Sequence, residues 1–213
     1  INPSPRGQRS NNMANIDAPF GFRQVGGLGS RPTSNGTSQY KINNGQTGAI
    51  YAGDVVAMGA VGSDQAGGAI AAGYIGSSET DTARNVGIFN GCLYQDPTTN
   101  KPTFQNYWPG DITVTTGDID AFVYDNPDDL FEVQTAGTHT QAVVGRGVDM
   151  VYAAGSAVSN GRSKEEITGA AVASGMFAVV RLSEDPSNSD TSSPNSNWIV
   201  KFNEHIYYNY DIQ

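Results

Sequence analysis

Asn85-Val86-Gly87-Ile88-Phe89-Asn90-Gly91-Cys92-Leu93-Tyr94-Gln95 is followed by Asp96-Pro97-Thr98-Thr99-Asn100-Lys101-Pro102, and then by Thr103 to Trp108. An apolar, aromatic run, a polar segment holding two prolines and a second aromatic run read as a hairpin with a long loop. Proline restricts the loop and removes backbone donors, so pairing stops there. Ile112–Thr116, Asp120–Tyr124 and Leu130–Gln134 follow at 8–10-residue spacing, the last two separated by the turn signal Asn126-Pro127. Short strands spaced this way predict an all-β domain, a jelly-roll-like sandwich or barrel.

The same pattern extends outward. Ala49 to Met58 reads as two short strands broken at Gly53-Asp54, and Ala69 to Ile75 continues in that style. Glycines at 53, 59, 62, 67, 68 and 73 are too frequent for a helix, where each costs about 1 kcal/mol relative to alanine. Downstream, Gly145–Tyr152, Met176–Leu182 and Trp198–His205 are further strand candidates, with Ser183–Asn197 an exposed loop. Ser163-Lys164-Glu165-Glu166 fits a capping box that starts one short helix, or a polar turn. Residues 1–48 are rich in Pro, Gly, Ser, Asn and Thr and lack periodicity. They predict an extended N-terminal arm before a body at 49–205 and a Tyr-rich tail at 206–213.

Charge is unevenly placed along the 213 residues, whose net charge is −9. Within 1–36, Arg6, Arg9, Arg23 and Arg31 against Asp17 leave +3; the rest carries 8 basic and 20 acidic residues and stands at −12. A body this acidic repels phosphate backbones, so direct nucleic-acid binding is not expected. The basic arm suits an acidic neighbour. No apolar run reaches about 18 residues, so no membrane-spanning helix is expected. An apolar signal core is also missing at the start, where Met13-Ala14-Asn15 reads like an initiation site twelve residues inside the chain.

The chain offers little catalytic chemistry. Asp118, Asp120, Asp125, Asp128 and Asp129 contain only a fragment of a calcium-loop pattern and fit turn chemistry better. His139, His205 and the single Cys92 are far apart in sequence, and no Gly-x-Ser-x-Gly elbow occurs. Cys92, in an apolar run, is expected to be a buried inert thiol. Gly26-Gly27-Leu28-Gly29 lacks the strand and helix that a phosphate-binding loop requires. No enzyme activity, metal or cofactor is implied. The candidate functional residues are instead partner-binding: Arg6, Arg9, Phe20, Phe22, Arg23 and Arg31 in the arm, and Tyr207, Tyr208 and Tyr210 in the tail. Ala18-Pro19-Phe20-Gly21-Phe22 reads either as a strap over the chain's own body or as an anchor in a neighbour. Tyr107-Trp108 and the tail tyrosines are aromatic enough to stack on a glycan, although packing in the fold or against a protein is favoured.

Several motifs together resemble a family. Met13-Ala14-Asn15-Ile16-Asp17-Ala18-Pro19-Phe20-Gly21-Phe22-Arg23 is similar to the N-terminal signature of small structural proteins of tailed bacteriophages. The segments at 50–56, Gly-Ile-Phe-Asn-Gly-Cys at 87–92, Tyr-Trp-Pro at 107–109, Ala-Phe-Val-Tyr-Asp-Asn-Pro at 121–127 and Phe-Glu-Val-Gln at 131–134 are similar too, as are 161–163 and 202–205. The resemblance is to capsid decoration, or cement, proteins and covers most of 13–205; residues 1–12 and the tail after His205 depart from it. It implies a virion protein assembled in the host cytoplasm, bound outside the capsid to the major capsid protein, with a homotrimer at local threefold positions as the specific expectation. The alternative is a head fibre or receptor-binding adhesin that recognises host glycans.

Overall fold

The computed structural model describes residues 14–29, 36–59, 70–78, 84–115, 117–155 and 160–208. Thirteen strands are assigned among them: β1 (Arg23–Gly27), β2 (Ser38–Ile42), β3 (Val55–Met58), β4 (Ile75–Ser77), β5 (Asn85–Gln95), β6 (Pro102–Gln105), β7 (Ile119–Tyr124), β8 (Asp129–Gln134), β9 (Gly147–Val148), β10 (Met150–Val151), β11 (Glu166–Ile167), β12 (Phe177–Leu182) and β13 (Asn197–Phe202). The protein is an all-β sandwich of antiparallel sheets, and no barrel closes among the described residues. One sheet runs β1-β8-β13-β12-β9; the other runs β2-β7-β5-β3-β4 with β6 beside β5; β10 and β11 form a separate ribbon.

The quoted stretch builds the centre of the second sheet. Strand β5, 11 residues long, gives one edge to β7 and shares the other between β3 and β6. The β5–β6 loop closes as its composition predicts. The Asp96 amide donates to the Lys101 carbonyl at 3.0 Å, and the Asp96 carboxylate accepts the amides of Thr98 and Thr99, both at 2.8 Å. Strand β7 then crosses to the other sheet through 125–128, where the Asn126 carbonyl takes the Asp129 amide at 2.9 Å.

Two apolar cores result. The first lies between the sheets and is aromatic: Phe22 stacks on Phe177 at 4.5 Å, Phe177 meets Phe202 at 4.7 Å, and Phe131 meets Phe202 edge-on at 5.7 Å. Such pairs add about 0.5–1.5 kcal/mol each beyond area burial. The second fills the concave side of the curled second sheet, whose edges β2 and β4 approach each other. It holds Ile42, Ile50, Phe89, Cys92, Trp108 and Ile206.

Several expectations are corrected. Residues 23–27 and 38–42, assigned above to the arm, are the edge strands β1 on β8 and β2 on β7. An edge strand buries little, so neither shows periodicity: β1 buries only Gly26 and β2 only Ile42. The body also reaches past 205, because Ile206 is 6% exposed in the second core. No helix starts at Ser163. Its hydroxyl accepts the Glu165 amide at 3.1 Å, and Glu166, the acid of the box, lies in strand β11 paired with Val151, so the chain extends instead of coiling. The only helical turn among the described residues is a 3-10 turn at Gln141–Val143. The 112–116 segment carries no strand among its described residues, although Val114 is buried. Gly145–Tyr152 is split at Asp149, whose carboxylate accepts the Met176 amide at 3.2 Å. The 183–197 loop is not simply exposed: Asn188 and Ser196 are buried within it.

Candidate interaction surface

The N-terminal segment enters through that loop. Asn15 donates from Nδ2 to the carbonyls of Asp190 at 2.8 Å and Pro194 at 2.7 Å, and its Oδ1 accepts the Asp190 amide. The Ile16 carbonyl accepts from Gln134 Nε2 at 2.9 Å and from Asn188 Nδ2 at 2.8 Å. Next, the Phe22 amide donates to the Gly53 carbonyl at 2.9 Å, and the side chain enters the first core. The approach is so close that a Cβ on Gly21 would lie 2.3 Å from Ser163 Cβ, at a φ of +73° that only glycine adopts freely. Of the two readings of 18–22, the described residues form the strap.

Beneath this crossing lie two buried carboxyls that sequence reasoning missed, because Gly53-Asp54 reads as an ordinary turn. Asp54 Oδ2 accepts the Tyr51 amide at 2.7 Å, Oδ1 finds no partner among the described residues, and burial pushes its pKa up to about 7. Glu165 is fully buried beside Val55.

The C-terminal segment is fastened by His205. Its Nε2 lies 2.7 Å from the Val86 carbonyl and so carries the proton; Nδ1 then accepts the Tyr207 amide at 3.2 Å. Burial lowers the imidazole pKa, and bonds to backbone and the nearby Asp125 charge only partly offset this. The Ile206 amide donates to Asn85, and a turn from His205 to Tyr208 turns Tyr207 and Tyr208 outward, 54% and 52% exposed.

Both segments meet at the β7–β8 turn. Tyr40 and Tyr207 share a hydroxyl hydrogen bond of 2.9 Å, and Tyr40 also donates to Asp125 at 2.9 Å. Tyr208 donates to Asp128 at 3.4 Å, the Leu28 amide donates to the Asp128 carbonyl, and Lys201 sits 5.8 Å over the Tyr208 ring. Leu28 is 42% exposed. The result is an exposed patch of Leu28, Tyr207 and Tyr208, with half-buried Tyr40 beneath it, around a carboxylate-bearing turn.

Of the expected partner residues, Tyr207 and Tyr208 therefore stand on the surface. Phe22 does not: at 3% exposure it belongs to the chain's own core and cannot reach a partner. Phe20 is half-buried, with the Arg23 guanidinium 5.1 Å over its ring; Arg23 is ion-paired with Glu132. Arg6, Arg9, Arg31 and Tyr210 lie outside the described residues. Trp108 is no sugar platform, being fully buried with Nε1 donating to the Gln46 carbonyl at 3.2 Å. Tyr107 stacks on Tyr51 at 5.8 Å.

The aspartates do not converge. Asp118 accepts from Tyr74 at 3.1 Å, Asp120 pairs with Lys41, and Asp129 accepts from Gln24 at 2.9 Å. Among the described residues no group of three or more metal-ligating side chains occurs, and no helix is long and apolar enough to cross a membrane. Cys92 is buried against the Tyr107 carbonyl, and burial pushes its thiol up to about 12. His139, also buried, bonds the Thr168 carbonyl at 2.7 Å. Compared with known proteins, the chain matches no family model, no curated protein and no solved structure.

Proposed function

We propose that this protein is a virion structural protein that binds the outer surface of an icosahedral phage capsid and stabilises it by bridging subunits of the major capsid protein. The sequence resemblance over 13–205 motivates the reading. The observation that carries it structurally is the aromatic patch at the β7–β8 turn, where segments from both ends of the chain are brought together on a glycine-pinned sandwich. Tyrosines are effective interface anchors, since each buries a large rigid surface and keeps one polar handle. Fixing them on folded backbone also reduces the ordering cost of association. Homotrimers at local threefold positions would repeat the patch by symmetry.

The test is binding of the purified protein to emptied capsids. The Tyr207→Ala/Tyr208→Ala double variant should lower occupancy at least tenfold and remove protection of the shell against heat. Full occupancy by the double variant at wild-type concentrations overturns the assignment of this patch. Truncation through residue 36 is uninformative, since it removes Phe22 and β1 from the fold. Truncation of residues 1–13 instead asks whether the leading arginines contribute.

A further inference from the structure

A cleft of about 310 Å³ lies beside the crossing of the N-terminal segment, and its lining includes none of Leu28, Tyr40, Tyr207 and Tyr208. Phe20, Arg23 and Gln24 of the N-terminal segment line it together with Asn90, Asn106 and Arg162, and Gly53 contributes to the lining. In a chain with 21 acidic and 12 basic residues, this lining contains two arginines and three amide side chains and no carboxylate.

The two guanidiniums differ. Arg23 is already neutralised by Glu132. Arg162 is exposed, and its side chain makes no hydrogen bond or ion pair among the described residues. Its backbone is nonetheless fixed on both sides, because the Ala52 amide donates to Gly161 and the Ser163 amide donates to Ala52, both at 3.0 Å. The Asn106 amide is likewise held by the Asn160 carbonyl, while Asn90 is exposed. A rigid wall thus presents one uncompensated positive charge next to amides that both donate and accept.

We propose that this cleft binds a single carboxylate-bearing sugar unit, a uronate within an acidic saccharide. One free guanidinium matches one carboxylate in a bidentate geometry, whereas a phosphate dianion would call for more positive charge. The neighbouring amides suit ring hydroxyls, which also donate and accept. The volume falls at the lower end of small-molecule sites and accommodates one such unit. This goes beyond shell binding and does not depend on it.

The isolated full-length chain is titrated by calorimetry and by NMR with a glucuronate tetrasaccharide, a neutral glucose tetrasaccharide and a tetraglutamate peptide. Saturable binding of the glucuronate saccharide alone is expected. Arg162→Gln should weaken it at least tenfold, Arg162→Lys less, and Arg146→Gln, an exposed arginine outside the cleft, not at all. Should Arg162→Gln lower the melting temperature, Asn90→Asp, which places a carboxylate at the exposed mouth, must weaken binding to a similar degree. The proposal is overturned if no saturable binding appears, if glucose binds equally well or if Arg162→Gln leaves affinity unchanged. Binding of tetraglutamate alone would also overturn it and assign the cleft to an acidic protein segment.

Discussion

The two ends of the described chain are fastened in contrasting ways. The N-terminal segment is held by many bonds spread over Asn15, Ile16, Ala18 and Phe22, and it contributes an aromatic ring to the first core. The C-terminal segment is centred on one imidazole and on Ile206 in the second core, with the Ile206 amide on Asn85 and the Tyr207 and Tyr208 hydroxyls on Tyr40 and Asp128 at the surface. Each end buries one apolar residue and leaves aromatic side chains outside: Phe20 half-buried at one, Tyr207 and Tyr208 exposed at the other. The difference shows that an exposed surface can be fixed either by redundancy or by a single well-placed group, and that the two respond differently to substitution and to pH.

The sharpest way to break this comparison is to empty each core in turn. Phe22→Ala removes a ring stacked at 4.5 Å on Phe177 and only 3% exposed. It should cost roughly 3–5 kcal/mol, while Ile206→Ala, which trims a smaller aliphatic side chain 6% exposed, should cost about 2 kcal/mol. Denaturant unfolding of the two variants measures both. Equal losses, or a larger one for Ile206→Ala, would contradict the view that the N-terminal strap is part of the first core.

Asp54 tests whether the crossing beneath Phe22 carries an electrostatic cost. Its pKa of about 7, against 3.8 when solvated, means that the native state holds more protons than the unfolded state between about pH 4 and 7. The contribution of this carboxyl to stability therefore falls as pH rises through that window. Asp54→Asn keeps an acceptor for the Tyr51 amide and removes the charge. Above pH 7 it should be more stable than wild type by about 1–3 kcal/mol, the scale of burying a poorly paired polar group. Thermal melts at pH 4.5 and 8.0 should show the advantage at the higher pH only; an advantage that is constant with pH would locate the cost elsewhere.

How much of this was legible in the sequence depends on whether the determinant is local. The hairpin at 85–105 could be read because Asp96, Pro97 and Pro102 set their own turn, and β7 and β8 because apolar residues recur on either side of Asn126-Pro127. Edge strands could not, since Arg23–Gly27 is kept in place by β8 rather than by its own pattern. The tail tyrosines stood out as exposed aromatics. Their partners did not, because Tyr40 and Tyr207 are 167 residues apart and Tyr40 and Asp125 are 85 apart. The cleft was hidden for the same reason: Arg23 and Arg162 become neighbours only when the strap crosses Gly53.

The smallest expected effect lies at the C-terminal turn and separates the two fastenings most cleanly. His205 is neutral, donating from Nε2 and accepting at Nδ1, so protonation would place a hydrogen against the Tyr207 amide. The aromatic rings of Phe202 and Tyr207 pack on it at 5.4 and 5.5 Å, and Asp125 is the charged group whose field favours the protonated form. Because burial lowers the folded pKa below 6.5, the unfolded state takes up protons first as the medium acidifies. The stability contributed by the neutral imidazole is complete above about pH 6.5 and lost below it. His205→Gln retains a donor for the Val86 carbonyl and does not titrate. Between pH 7.5 and 5.0 wild type should lose about 1 kcal/mol more than this variant, the scale of the one hydrogen bond that Nδ1 gives up on protonation. His139, buried with its pKa also lowered, keeps the variant's profile from becoming flat. Over the same range the Tyr207 and Tyr208 resonances should shift in wild type and not in His205→Gln, whereas shifts at Ile16 and Ala18, driven by Asp54 beneath the crossing and by Glu166 beside Asp17, should be the same in both proteins. A shift at Ile16 or Ala18 that is lost in His205→Gln would mean that the two fastenings act as one.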